Sequence, residues 1–354
     1  MGSVIIGTGS YLPEVVKRNS EFESQPFYTN EFVLLKNDNQ TIIKKFEAIT
    51  GIEERRYASP TQNTSDLAAI AARKAIENSA IDPETLDLLI VAHNYGDISG
   101  DSRQPDTVPS LANRVKHALG IANPGCIAFD VLFGCPGWVL AITQTDAFFK
   151  AGMAKRALVI GAETLSRILD PFDRDSMIFS DGAGAVVMEH QPGTDGGFLH
   201  SHTASHSLEE LNYLQMGSSY NRDYAPGTKM IKMNGRKVYE YALKHVPLAI
   251  KECIDKAGVT ITSIKKIFIH QANEKMDEAI LQALYKLYNL TPPPDIMPMS
   301  IHYLGNSSVA TVPTLLDLVQ KGTYPEHALS TGDLVIFASV GAGMNMNAVC
   351  YKWI

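Results

Sequence analysis

The chain carries one stretch of pattern twice. Ala71 to Asn94 reads AARKAIENSAIDPETLDLLIVAHN, and Leu248 to Gln271 reads LAIKECIDKAGVTITSIKKIFIHQ. Each is an amphipathic helix, a short turn, and a buried apolar strand that ends in histidine. Ala80 falls opposite Ala257 and His93 opposite His270, a separation of 177 in both cases (257 − 80 and 270 − 93). A second correspondence follows. Phe133-Gly134-Cys135 precedes a helical run from Trp138 to Phe149, and Leu304-Gly305-Asn306 precedes another from Val312 to Val319. Apolar strands come next in both, Ala157 to Ile160 and Asp333 to Ile336. Any α/β protein alternates in this way, but the gapless match and the paired glycine turns favour duplication.

Alternating helices and buried strands predict a layered α/β architecture with mostly parallel sheets. Two duplicated halves packed face to face would bring equivalent strand ends to one site. The join is expected in the turn-rich Gln191 to Gly197, giving halves of 1–190 and 191–354. Glu21 to Gln40 is polar and irregular and reads as a long loop or lid.

The composition limits the function. The chain has 354 residues, 45% hydrophobic and 19% charged, with a formal net charge of −7. An acidic chain without a long Lys/Arg run argues against nucleic-acid binding. No apolar stretch approaches the ~18–20 residues that span a bilayer, and Met1 to Ser10 lacks the features of a signal peptide. A cytoplasmic protein without a membrane partner is expected. Its four cysteines, Cys126, Cys135, Cys253 and Cys350, have no metal-like spacing and are thiols by default in a reducing compartment. Neither a metal nor a cofactor is expected. Gly7-Thr-Gly-Ser-Tyr-Leu12 lacks the third glycine of a dinucleotide fingerprint and an acidic residue on a second strand.

Three residues carry candidate chemistry. Cys135 follows the apolar strand Ile127 to Phe133 in a Gly-Cys-Pro-Gly turn that opens a helix. Helix N–H groups there would stabilise thiolate and lower the pKa below its usual ~8.5. A buried structural cysteine is the alternative. His270 ends a strand and would face a ligand crevice, or else bond to backbone in the core. Asn306 lies at a helix start and could be an inert N-cap. Together they form a more specific pattern. Cys135 would take an acyl group as a thioester. The His270 Nε2–H and the Asn306 amide would hold the enolate formed when a second thioester loses carbon dioxide. Backbone N–H groups of Val340-Gly-Ala-Gly-Met344, at Ala342 and Gly343, would join the Cys135 N–H in a separate oxyanion hole.

At these residues the sequence resembles the β-ketoacyl–acyl carrier protein synthase III family of the thiolase superfamily. Further markers are Ile5-Ile-Gly-Thr-Gly-Ser-Tyr-Leu-Pro13, Thr50-Gly-Ile-Glu-Glu-Arg55, Asp181-Gly-Ala-Gly-Ala185, His270-Gln-Ala-Asn273 and Gly305-Asn-Ser-Ser308. The resemblance implies a thiolase-like five-layer αβαβα fold of two duplicated halves, a homodimer, acyl thioester substrates and an acyl carrier protein partner. It places the catalytic cysteine, histidine and asparagine at Cys135, His270 and Asn306. It also implies substrate contacts at Val108, Arg174 and Asn273.

Several positions depart from the family pattern. A tryptophan and an arginine usually clamp coenzyme A before the Thr-Gly-Ile motif, and Lys45 and Ile49 match those places here. Arg174 does match a nucleotide-contacting arginine. A carrier-protein donor is therefore expected over coenzyme A. Val108 stands where a bulkier gate is common, which would deepen the acyl tunnel. Ala342 replaces a central glycine but keeps its N–H. With Phe133-Gly-Cys-Pro-Gly-Trp138, these features resemble the dialkylresorcinol- and flexirubin-forming branch, which joins two β-ketoacyl chains and closes a ring.

Other features have simpler readings. His202 and His206, in the serine-rich Ser201 to Ser207, read as solvated loop histidines rather than metal ligands. Asp97, Asp101 and Asp106 read as solvated loop charges, or one of them as a base near the tunnel. Lys275, Arg236, Lys237 and Lys244 are ordinary surface residues or a basic patch that docks an acidic carrier. Two other functions are compatible with the pattern. One is a non-decarboxylating enzyme of the hydroxymethylglutaryl-CoA synthase type, which needs a carboxylate base. The other is a homologue that only binds or transfers acyl groups.

Overall fold

The computed structural model describes residues 2–99, 102 and 104–354. In chain order the first half supplies β1 (Ser3–Tyr11), a ribbon of β2 (Val15–Arg18) and β3 (Glu54–Tyr57), β4 (Leu88–Ala92), β5 (Ile127–Val131), β6 (Arg156–Thr164) and β7 (Asp181–His190). The second supplies β8 (Gly197–Ser205), a hairpin of β9 (Leu214–Gly217) and β10 (Met230–Met233), β11 (Ile264–Ile269), β12 (Leu334–Gly341) and β13 (Asn345–Lys352). The helices are α1 (Asn39–Thr50), α2 (Thr64–Ser79), α3 (Leu111–Leu119), α4 (Gly137–Lys150), α5 (Gly235–Ala257), α6 (Glu274–Lys286), α7 (Ile301–Leu304) and α8 (Thr311–Gln320).

The two main sheets repeat one topology. One has the order β1-β7-β6-β4-β5 and the other β8-β13-β12-β11. In each, the first two pairings are antiparallel and the next is parallel. The helix that precedes β4 ends at Ala80 and the one that precedes β11 ends at Gly258, both left-handed. The helix ends are thus offset by one residue, although the histidines that follow the strands stay in register.

Strand alternation explains the layers. In β4, Leu88 and Ile90 face one way and Leu89 and Val91 the other. Leu88 and Ile90 join Phe268, Phe337 and Val349 of the second sheet in a core that contains α4 and α8. Leu89 and Val91 pack with the alanine-rich face of α2 and with α3. Ile267, Ile269 and Ile336 pack under α5 and α6. The result is the five-layer αβαβα stack expected from the sequence. No helix among the described residues is long and apolar enough to cross a membrane.

Three sequence expectations need correction here. The main sheets are not mostly parallel: four of their seven strand pairings are antiparallel, because β1, β7, β8 and β13 run against their neighbours. The segment containing His202 is strand, not loop. It pairs along β13, and backbone hydrogen bonding holds an edge strand that has few apolar residues. His202 Nδ1 lies 3.4 Å from Glu252, and His206 hydrogen-bonds Tyr241 at 2.9 Å. Asp97 is not solvated. It is 2% exposed and accepts from Ser65 N–H at 2.8 Å, Ser65 O–H at 2.6 Å and Arg114 at 2.8 Å. Asp106 is exposed but pairs with the same arginine at 2.7 Å, and Asp101 lies outside the described residues. Between a 3-10 turn that ends at Phe22 and the start of α1 at Asn39, the 21–40 segment is a loop, as expected, but a tied one. The Asn39 amide donates to the carbonyls of Phe22, Glu23 and Gln25, and Phe27 is buried.

Candidate active site

Strand ends from both halves converge on one residue, Ser308. Its hydroxyl donates to Cys135 Sγ at 3.3 Å. Its backbone N–H donates to Asn306 Oδ1 at 2.8 Å. The His270 imidazole bears on its backbone. Ser308 is buried and has a φ of 54°, a left-handed conformation unusual outside glycine. Cys135, His270 and Asn306 therefore share one neighbour, although 135 to 306 spans nearly half the chain.

Each group is held by its backbone. Cys135 sits one residue before the α4 N-cap, Pro136, in the turn after β5. The His270 N–H donates to Ala338 of β12 at 2.9 Å, which fixes the strand end. The Asn306 N–H donates to Ile178 at 3.0 Å, and its carbonyl accepts from Ser180 at 2.8 Å. With Oδ1 occupied by Ser308, the hydrogens of Asn306 Nδ2 remain as donors.

The charge states follow from burial. Burial pushes the Cys135 thiol up to about 11, with the Ser308 hydroxyl pulling the other way. This reverses the sequence expectation of a lowered pKa, because desolvation outweighs the helix end. Burial pushes His270 down to about 4, against the pull of the Ser308 backbone. The ring is therefore neutral near pH 7 and carries a single N–H. Its Nδ1 has no hydrogen-bond partner among the described residues. His93, the duplicate of His270, differs. It lies 3.0 Å from Asp130 and accepts from Gly96 N–H at 3.0 Å, so it is tied up structurally.

The 340–344 turn reaches the nucleophile. A Cβ on Gly134 would lie 2.8 Å from Ala342 N, so Ala342 is beside the Gly134-Cys135 turn. A Cβ on Gly343 would meet the Asn345 side chain at 3.0 Å. Gly341, which sequence reasoning passed over, makes the closest approach. A Cβ there would meet Cys135 N at 2.6 Å and Cys135 Cβ at 2.9 Å. Gly341→Ala is expected to cost about 1–3 kcal/mol of stability through overpacking. It should also slow acyl loading. A thermal melt and a loading assay check both.

A cavity of about 1120 Å³ opens nearby. Arg174, Asn273, Lys45 and Ile49 line it, as do Tyr28 and Phe32 from the 21–40 loop. Asn273 also caps α6 by accepting from Met276 N–H at 3.1 Å. Ile178 and Ala272 tie this wall to Asn306 and His270, although Cys135, His270 and Asn306 do not themselves line the cavity. Lys275 is not among its lining residues. It is exposed, on a separate shallow groove with Pro292 to Asp295. Arg236 does line the cavity but pairs with Glu240 at 2.8 Å. Val108 is 84% exposed and does not line its own chain's cavity.

Sequence reasoning also missed Asn94 and Glu163. Asn94 Nδ2 donates to Ser308 Oγ at 3.1 Å and to Glu163 Oε1 at 2.5 Å. The signal available was slight: a lone carboxylate ending the apolar run of β6, and a polar residue after His93.

The sequence and fold are similar to those of known proteins. Residues 129–207 match the family model "3-Oxoacyl-[acyl-carrier-protein (ACP)] synthase III", and residues 254–353 match its C-terminal counterpart. A relative from Erythrobacter litoralis, a beta-ketoacyl-[acyl-carrier-protein] synthase III, is 36% identical, with 99% of each chain covered. The solved 3-oxoacyl-[acyl-carrier-protein] synthase III of Aquifex aeolicus superposes with a TM-score of 0.80 at 30% identity, covering 99% of this chain and 100% of that one. The Thermus thermophilus enzyme superposes with a TM-score of 0.81 at 30% identity, covering 99% of each. With its duplicated layers and with Cys135, His270 and Asn306 gathered about Ser308, this chain belongs to the 3-oxoacyl-[acyl-carrier-protein] synthase III family of ketosynthases.

Proposed function

We propose that this ketosynthase loads an acyl group onto Cys135 and extends it by decarboxylative condensation with a carrier-protein-bound thioester. The observation that carries this reading is the gathering of Cys135, Asn306 and His270 about Ser308. The Cys135 sulfur attacks the donor thioester carbonyl. Charge on that oxygen is held by the Cys135 and Ala342 N–H groups. Collapse expels the donor's thiolate, which takes up the proton lost by Cys135. A malonyl thioester then loses carbon dioxide, and the electrons of the broken C–C bond form an enolate. The neutral His270 N–H and Asn306 Nδ2–H stabilise that oxygen. The enolate carbon bonds to the acyl carbonyl carbon, and the Cys135 sulfur leaves.

The donor is proposed to arrive on a carrier protein. Lys45 and Ile49 supply neither the ring nor the guanidinium that the family pattern puts at those two places, although Tyr28 and Phe32 bring rings to the cavity elsewhere, and Arg174 remains there with its side chain 60% exposed. Arg236, Lys237, Lys244 and Lys275 are the candidate docking residues. A homodimer is also proposed. The outer edge of β5 has no strand partner among the described residues, and Ile127 on it is 60% exposed. Val108 would then gate the partner's acyl tunnel rather than its own. Condensation of a β-ketoacyl chain with closure to a dialkylresorcinol is the more specialised form of the same proposal.

A panel of acyl and β-ketoacyl donors, each on coenzyme A and on carrier protein, tests this reading by product mass spectrometry. The expected result is a condensed product that forms faster from carrier-protein donors. Equal or better use of coenzyme A would contradict the donor assignment.

A further inference from the structure

The network behind Cys135 contains a carboxyl that the chemistry above does not use. Glu163 is the last residue but one of β6, is 1% exposed, and forms no ion pair among the described residues. Asn94 Nδ2 donates to its Oε1 at 2.5 Å and to Ser308 Oγ at 3.1 Å. An amide nitrogen has two hydrogens, so both bonds are made at once. One Ser308 lone pair is then taken, and its single hydrogen goes to Cys135 Sγ at 3.3 Å.

This chain of bonds has a direction. Were the Asn94 amide reversed, Oδ1 would face Ser308, and the hydroxyl would donate to it instead of to sulfur. Burial pushes the Glu163 carboxyl up to about 8. Above that pH the ionised carboxylate forbids the reversal, because two oxygens without a hydrogen between them would then meet. Resting on the nucleophile reading of Cys135, we propose that Glu163 is a positioning residue that acts through Asn94. It holds the Ser308 hydroxyl as a donor to Cys135 Sγ and so favours the thiolate needed for acyl loading.

Glu163 also opposes the thiolate by its own charge. The two effects have opposite signs, and that separates them. Deleting the charge alone eases thiolate formation, whereas deleting the acceptor frees Asn94 to turn and withdraws the hydroxyl from sulfur. Hydrogen bonds to charged groups are the stronger kind, so the second effect is expected to win.

The test is the rate of iodoacetamide alkylation of Cys135 across pH 7 to 10, read by peptide mass. Glu163→Leu is made in the wild-type and Ser308→Ala backgrounds. The expected result is about tenfold slower alkylation above about pH 8 in the wild-type background, where Glu163 is ionised, and no slowing in the Ser308→Ala background. Equal slowing in both backgrounds would mean lost packing and would overturn the proposal. No slowing in either would overturn it too. If Glu163→Leu does not fold, Glu163→Met, closer in shape and equally without an acceptor, carries the same comparison with the same expected signs. Failure of wild-type Cys135 to alkylate at all would remove the nucleophile reading instead, which keeps the two failures distinct.

Discussion

Cys135→Ala is expected to abolish acyl loading, with no other cysteine taking its place. Cys126, Cys253 and Cys350 are each no more than 2% exposed, whereas Cys135 is half-buried. Burial raises the thiol of Cys126 and pushes those of Cys253 and Cys350 up to about 12. Cys253 donates to backbone carbonyls, which does nothing for a thiolate, whereas Cys135 receives a hydroxyl hydrogen from Ser308. Alanine keeps the backbone of the turn, so the fold should persist. Intact-protein mass after exposure to an acyl thioester reads the outcome, and an adduct on the variant would contradict it.

Asn306→Ala and His270→Ala are expected to leave loading largely intact and to slow condensation by ~10²–10³ each. Both groups would hold the enolate oxygen of the second thioester, which is absent when the first acyl group is transferred. Loading and condensation must be measured separately. An Asn306→Ala enzyme that condenses at the wild-type rate would contradict the assigned role. The pH dependence adds a sign. His270 is pushed down to about 4, while an unfolded histidine titrates near about 6.5. The donor form is thus fully present above about pH 6.5 and persists until pH approaches 4. Condensation by preloaded enzyme should therefore show no acid limb near 6.5. Below that value the unfolded chain takes up a proton that the folded chain refuses, so stability falls as pH drops from about 6.5 toward 4.

Much of the fold was legible because two periodicities recur 177 residues apart (270 − 93). A gapless repeat fixes both sheets at once, and the glycine turns mark where each half presents a side chain. Cys135, His270 and Asn306 were legible for the same reason, as residues at strand ends and helix starts. What did not show was how groups from different elements face each other. The sequence makes His93 and His270 equivalents, and only packing reveals that Asp130 engages one of them. The thiol was misjudged because a helix end is visible in a sequence and desolvation is not. Asn94 and Glu163 act only through Ser308, and no local spacing encodes that contact. Asp97 looked like one polar residue in a polar loop until the fold brought Arg114 to it.

One measurement bears on the central claim most directly. Wild-type protein is given an acyl donor and then malonyl carrier protein, and the mass of the peptide containing Cys135 is followed alongside carbon dioxide. An acyl adduct on that peptide is expected, discharging in step with equimolar carbon dioxide and a lengthened product. A lengthened product with no adduct at Cys135, or one formed without carbon dioxide release, would contradict it.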